Sequence, residues 1–162
     1  MVNPDSKQIL GMVLIEDGNI LSCKFNGTIG EKSLLNIYID ECEGRKIGFI
    51  IEPEIIGDTP QNIRKSLSKL KEKVASDFKK YTNTKSLRPS DGIILQIDDG
   101  FLIDGSDVSA EEYEILFTLS DYSNVGELYN KCPLLDYQIT EALVSLRKKS
   151  AIKVISNIGS EQ

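Results

Sequence analysis

The chain has 162 residues, with 19 Lys or Arg against 25 Asp or Glu for a net charge of −6, and it contains no histidine. Without imidazole the usual general base, the commonest metal ligand and every Ser-His or Cys-His nucleophile are excluded, and the acidic balance argues against a strong nucleic-acid binder. The length suits one ordinary domain or two small ones, no apolar run approaches the roughly 20 residues that span a bilayer, and the start Met-Val-Asn-Pro-Asp-Ser is not laid out as a leader, so a cytoplasmic location away from membranes is expected.

Residues 10–15 and 20–25 are apolar runs on either side of Glu16-Asp17-Gly18-Asn19, and Asp-Gly in that setting predicts a tight β-hairpin. A second turn follows at Asn26-Gly27. Gly27-Thr28-Ile29-Gly30 reads as a turn more than as a loop offering amides to an anion, since two glycines alone specify little. From Gly30-Glu31 the spacing of Leu34, Leu35, Ile37, Tyr38 and Cys42 predicts a helix ending near Gly44. Residues 47–52 read as one more strand. Cys23, Cys42 and Cys132 are odd in number and show no Cys-x-x-Cys pair, so buried thiols are expected rather than disulfides or zinc ligands.

The longest predicted helix begins with Thr59 as N-cap and Pro60 in the first position, and runs to Tyr81. Its apolar seam is Ile63, Leu67, Leu70, Val74, Phe78 and Tyr81. That seam either covers the N-terminal sheet or, through Ile63, Leu67, Leu70 and Val74, pairs with a second copy in a homodimer. Residues 61–81 carry seven Lys or Arg against two acids, a local +5 that leaves −11 elsewhere. Lys65, Lys69, Lys73 and Lys80 lie on one flank of the seam, where like charges four apart repel. Water, the chain's own acids or an acidic partner would relieve that repulsion.

Asp98, Asp99, Asp104 and Asp107 do not match a calcium-binding loop, and Asp99-Gly100 and Asp104-Gly105 read as turn pairs, the first at the tip of a hairpin. No phosphate-binding glycine loop is present, so neither cofactor nor metal is expected. Ser109-Ala110-Glu111-Glu112 is a capping box that starts a helix through Tyr113, Ile115, Leu116, Phe117 and Leu119. A second helix starts at Ser123 or Asn124, supported by Glu127, and stops at Cys132-Pro133. The third spans residues 136–149 with Ile139, Ala142, Leu143 and Leu146 inward. Ile152, Val154 and Ile155 then close the segment as a β-ribbon, in the order of a winged helix.

On the third helix the outer face predicted at about 100° per residue is Tyr137, Glu141, Val144 and Lys148. A DNA reader would present Arg, Lys, Asn or Gln to base edges with more Lys and Arg on phosphates, whereas this face carries a carboxylate and two apolar groups. Gln138 beside it is the only conventional base reader. Arg147, Lys148 and Lys149 sit where cations favour the helix dipole without any ligand. Tyr137 and Val144, seven apart, suit a protein contact or cover by another part of the chain. The candidate partner-binding residues are therefore Tyr137, Glu141, Val144 and Lys148, together with Lys65, Lys69, Lys73 and Lys80.

Gly11-Met-Val-Leu-Ile-Glu-Asp-Gly-Asn-Ile-Leu-Ser-Cys-Lys-Phe-Asn-Gly27, followed by Gly30-Glu31-Lys-Ser-Leu34-Leu35 and Gly48-Phe49-Ile50, resembles the PATAN-type domain of bacterial signalling proteins. The likeness continues through Tyr113-Glu-Ile-Leu116, Val125-Gly-Glu-Leu128, Ala142-Leu-Val-Ser-Leu146 and Ala151-Ile152, and covers most of residues 9–155. Two departures stand out. The family's leading helix is missing or very short before Leu10, and Ser33 stands where alanine is frequent. The resemblance implies a non-enzymatic adaptor that contacts another protein, such as a response regulator or a motility component, and it carries over no catalytic residue.

The expected architecture is α+β: a small antiparallel sheet with covering helices (1–57), a long basic connecting helix (58–84), then a β-hairpin and a winged-helix-like three-helix segment (85–162). The expected function is protein–protein contact. The alternative is a DNA-binding regulator using residues 136–149, with an enzyme a distant third.

Overall fold

Two dipeptides with left-handed backbone shape the N-terminal sheet. Asp17 (φ 47°) and Gly18 (φ 75°) join β1 (Gly11–Glu16) to β2 (Asn19–Phe25), and Asn26 (φ 45°) and Gly27 (φ 82°) fold β3 (Thr28–Ile29) back onto the far end of β2. Both turns place two residues at positive φ, the arrangement whose twist matches a right-handed hairpin. The computed structural model describes residues 1–53, 60–104 and 107–157. Its contacts divide the chain into two compact units, Met1–Lys79 and Lys80–Gln162, and the folding pattern is α+β as expected.

In the first unit, helix α1 (Glu31–Cys42) follows Gly30 (φ 71°) and ends before Gly44 (φ 79°). It buries Leu35, Ile39 and Ser33. Ser33 is fully buried, and its hydroxyl is satisfied by Thr28 Oγ1 at 3.1 Å, so a polar residue is tolerated where a methyl would also fit. Cys23 and Cys132 are buried as expected, whereas Cys42 is exposed. Burial pushes the Cys23 thiol up to about 12, against the opposing hydrogen bond with Ser33, which makes it a packing group rather than a nucleophile.

The predicted strand at 47–52 does not form. Gly48 pairs with Val2 in an isolated bridge (Val2 N to Gly48 O 2.8 Å, Gly48 N to Val2 O 2.8 Å), and Phe49, Ile50 and Ile51 are exposed. Val2 also bridges to Ile9, the Met1 amine donates to Gly11 O at 2.8 Å and Met1 O accepts from Leu10 N at 3.0 Å.

The long helix starts later than its pattern predicts. Residues 62–67 first run antiparallel along β2, with β4 (Lys65–Ser66) pairing Ile20 and Asn19, Ile63 N donating to Leu21 O and Leu67 N to Gly18 O. Asn62 adds a reciprocal clasp, its Oδ1 accepting from Cys23 N at 3.2 Å and its Nδ2 donating to Cys23 O at 3.5 Å. An open sheet edge thus outcompetes the first helical turns, and α2 spans Leu67–Thr84. Thr59, the predicted cap, lies outside the described residues. Nor is the seam covered along its whole length: Leu70 is 2% exposed and Val74 and Phe78 are half-buried, but Leu67 is 48% exposed. The Phe78 ring meets Tyr38 of α1 edge-on at 5.2 Å.

For two of the four lysines the repulsion along the flank is relieved from within the chain. Lys65 and Lys73 both pair with Glu31, Lys73 at 2.9 Å, and Lys73 also reaches Asp77 at 2.7 Å. Burial alone would push the Glu31 carboxyl up, but hydrogen bonds and charge from the two lysines hold it below the usual range.

In the second unit, β5 (Ile93–Ile97) is followed by a short helix, α3 (Asp99–Asp104), and not by the predicted hairpin. Asp98 Oδ1 accepts from Gly100 N at 3.0 Å, the bond of a helix N-cap, so the same acidic residues that make turns here begin a helix. Next come α4 (Ala110–Asp121), α5 (Val125–Lys131) and α6 (Asp136–Lys148). The capping box at α4 is complete, with Ser109 Oγ accepting from Glu112 N and Glu112 Oε2 from Ser109 N, and Asn124 Oδ1 accepts from Glu127 N to start α5. The last strand, β6 (Ile152–Asn157), does not form a ribbon of its own. It pairs antiparallel with β5, Leu95 opposite Val154 and Ile97 opposite Ile152, while Ile94 bridges to Asn124 on the other side. The core gathers Ile115, Leu119, Val125, Leu128, Ile139, Leu143, Leu146 and Ile152 from all three helices and the ribbon.

Candidate functional site

Helix α6 takes its register from the inward stripe Ile139, Ala142, Leu143 and Leu146, all buried, and this decides what its other side presents. Glu141 and Lys148 are exposed and Val144 is half-buried, close to the expectation. Tyr137 departs from it, being 7% exposed. Lys80 Nζ stands 5.1 Å from the centre of its ring and 3.4 Å from its hydroxyl, so a cation–π contact within the unit takes up the ring predicted to meet a partner. Gln138, the one conventional base reader, is committed as well: its Oε1 accepts from Leu135 N at 3.0 Å and secures the helix start.

The basic cluster at the end of α6 is divided. Arg147 and Lys148 are exposed, while Lys149 donates to Glu112 Oε2 at 2.7 Å and to Asp107 O at 2.9 Å. The Glu112 side chain is 4% exposed, so the pair ties the start of α4 to the end of α6 through a carboxylate with little access to water. Burial by itself would push the Glu112 carboxyl up. Lys149, the Ser109 backbone and Ser145 together hold it below the usual range. A carboxyl depressed in the folded state contributes stability at pH values above its unfolded pKa and loses it as the pH falls through the folded pKa. Glu112→Gln is therefore expected to lower Tm at pH 7 and to flatten the fall of Tm on acidification below about pH 4.5, the ordinary value for this carboxyl. Melts from pH 7 to pH 2.5 check this, and parallel Tm curves for the two proteins would contradict it.

Between the start of α4 and the outer side of α6 lies a groove of about 750 Å³, lined by Lys80, Asp107, Glu111, Glu112, Tyr137, Glu141 and Lys149, with Gln138, Ala142 and Ser145 on its α6 side. Its two cations are engaged, Lys80 over the Tyr137 ring and Lys149 on Glu112. Asp107, Glu111 and Glu141 remain on the exposed rim, and Glu111 accepts from Ser109 Oγ at 3.1 Å. The groove is electronegative, since three carboxylates face water there. Phosphates brought to this side of α6 would meet those carboxylates before they met Arg147 or Lys148.

Of the residues singled out by sequence, the groove brings together Tyr137, Glu141 and Lys80. Val144 and Lys148 lie elsewhere on α6, and Lys65, Lys69 and Lys73 belong to the N-terminal unit, two of them paired with Glu31. From sequence Asp107 reads only as one of a run of turn-forming aspartates and Glu111 only as part of a helix start, neither as a partner-binding residue. Nothing local links residues 107–111 to residues 137–145, and only the capping role of Glu112 hinted that this turn is ordered. Among the described residues no group of three or more His, Cys, Asp or Glu is arranged to hold a metal, and no helix is long and apolar enough to cross a membrane.

In comparisons with known proteins, the chain has no significant match among family models, among curated proteins or among solved structures.

Proposed function

We propose that this protein is a non-enzymatic adaptor that holds another protein in the groove between the start of α4 and the outer side of α6. The observation that supports this most is the electronegative rim of Asp107, Glu111 and Glu141 beside a helix whose one amide side chain suited to base edges, Gln138, is already bonded to Leu135 N. Such a surface repels phosphate and favours a partner that brings cations. The resemblance to PATAN-type domains gives the context, contact with a response regulator or a motility component in bacterial signalling.

The test uses the full chain as bait. A partner recovered from the native host and identified by mass spectrometry is expected to bind the double charge reversal Glu111→Lys, Glu141→Lys at least about tenfold more weakly, the loss that follows from removing one or two charged contacts. Mobility-shift titration with random genomic DNA is expected to show no retention below about micromolar protein at physiological salt. Salt-sensitive retention tighter than that, enhanced by the same charge reversal, would instead make the α6 surface a DNA-binding face.

A further inference from the structure

Helix α4 has a second face that neither the fold nor the groove uses. It buries Ile115, Thr118 and Leu119, and commits Glu112 to Lys149. It leaves Tyr113 62% and Phe117 59% exposed. Four residues apart, the two rings stand one turn apart on one side of the helix, about 100° from the direction of Glu112. Glu114 and the exposed Asp121 flank this aromatic pair, α4 contains no Lys or Arg, and neither acid forms an ion pair among the described residues. Single exposed apolar residues need no explanation, but two adjacent rings bordered by unneutralised carboxylates form a patch with a defined complement.

The geometry points to α4 as a docking face for a cationic amphipathic segment of a partner protein, apolar side chains lying on Tyr113 and Phe117 and Lys or Arg reaching Glu114 and Asp121. Charge selects this occupant. A nucleic acid or an anionic membrane would set phosphates against the same carboxylates, and a second copy docked face to face would oppose Glu114 and Asp121 to their own kind. Lys or Arg beside exposed rings gains both the carboxylate contact and the ring face. The site stands independently of the groove, which lies on the Glu112 side of the helix.

The probe is a fluorescent Leu/Lys amphipathic peptide of about 18 residues, five helical turns, titrated by anisotropy against the full chain. A Leu/Glu peptide of the same pattern and a Lys/Ser peptide of the same charge serve as controls. The Leu/Lys peptide is expected to bind saturably and to move the amide resonances of residues 113–121, and both controls to bind at least about tenfold more weakly, as fits loss of a central anchor. Tyr113→Ser with Phe117→Ser leaves net charge unchanged and is expected to cost at least about tenfold in affinity; both sites are exposed, so Tm should hold. Glu114→Lys with Asp121→Lys should weaken binding as much. The proposal is overturned if the serine variant binds like the wild type, if the Lys/Ser peptide binds equally well, if the shifts fall at Glu111 and Glu141 instead, or if sedimentation shows a dimer that Phe117→Ser converts to monomer.

Discussion

Leu70→Glu is expected to cost about 4 kcal/mol, because a carboxylate with no partner would occupy a position that is 2% exposed. Set against a net stability of about 5–15 kcal/mol for a domain, a loss of that size removes between about a quarter and four fifths of it. The control is Leu67→Glu, one turn earlier on the same seam. Leu67 is 48% exposed, so the change there is expected to stay within about 1 kcal/mol. Urea denaturation followed by circular dichroism measures both. Equal losses would mean that the seam is covered along its whole length, and two small losses that it is not buried at all. The comparison also bears on homodimerisation: Leu70 is covered by its own chain, so of the four seam residues considered for a dimer, Leu67 is the one left largely open.

Gly11→Ala is expected to destabilise the β1–β2 pair by about 3 kcal/mol, as overpacking against backbone does. A Cβ at that position falls inside the van der Waals envelope of the Lys24 carbonyl oxygen and 2.8 Å from Phe25 Cα, and neither is the far end of a flexible side chain that can swing away. The β1 strand must then move off β2 or lose its register, and amide exchange at residues 11–16 is the direct readout. Gly18→Ala tests the opposite mechanism. Nothing lies within 4 Å of its Cβ position, but its φ is +75°, so only conformational strain of about 1 kcal/mol is expected. If the two substitutions cost the same, close backbone approach is not what requires glycine at position 11.

Sequence alone accounts for the elements whose signals act within a turn or two of chain. Asp17-Gly18 and Asn26-Gly27 can adopt paired positive φ, Ser109 and Asn124 can cap the helices they precede, and Gly44 can close α1; each choice is settled among residues up to four apart. The inward stripe of α6 is equally legible, because one periodicity places four apolar residues on one side. The absence of histidine, and with it many catalytic arrangements, needs no structure at all.

What tertiary structure decided were competitions between distant segments for the same partner. Residues 47–52 have strand character, but their ladder stops at the single bridge from Gly48 to Val2; residues 62–66 fit a helical seam, but β2 offers hydrogen bonds that a starting helix cannot, since its first amides have no intrahelical acceptor. Tyr137 and Tyr113 are both aromatic residues on amphipathic helices, yet Lys80 reaches one ring while the other is 62% exposed. Periodicity marks the side of a helix that faces its own core. Whether the opposite side meets water, a lysine from another element or a partner depends on where chains remote in sequence come to lie, and that is set by the packing of whole elements rather than by any local pattern.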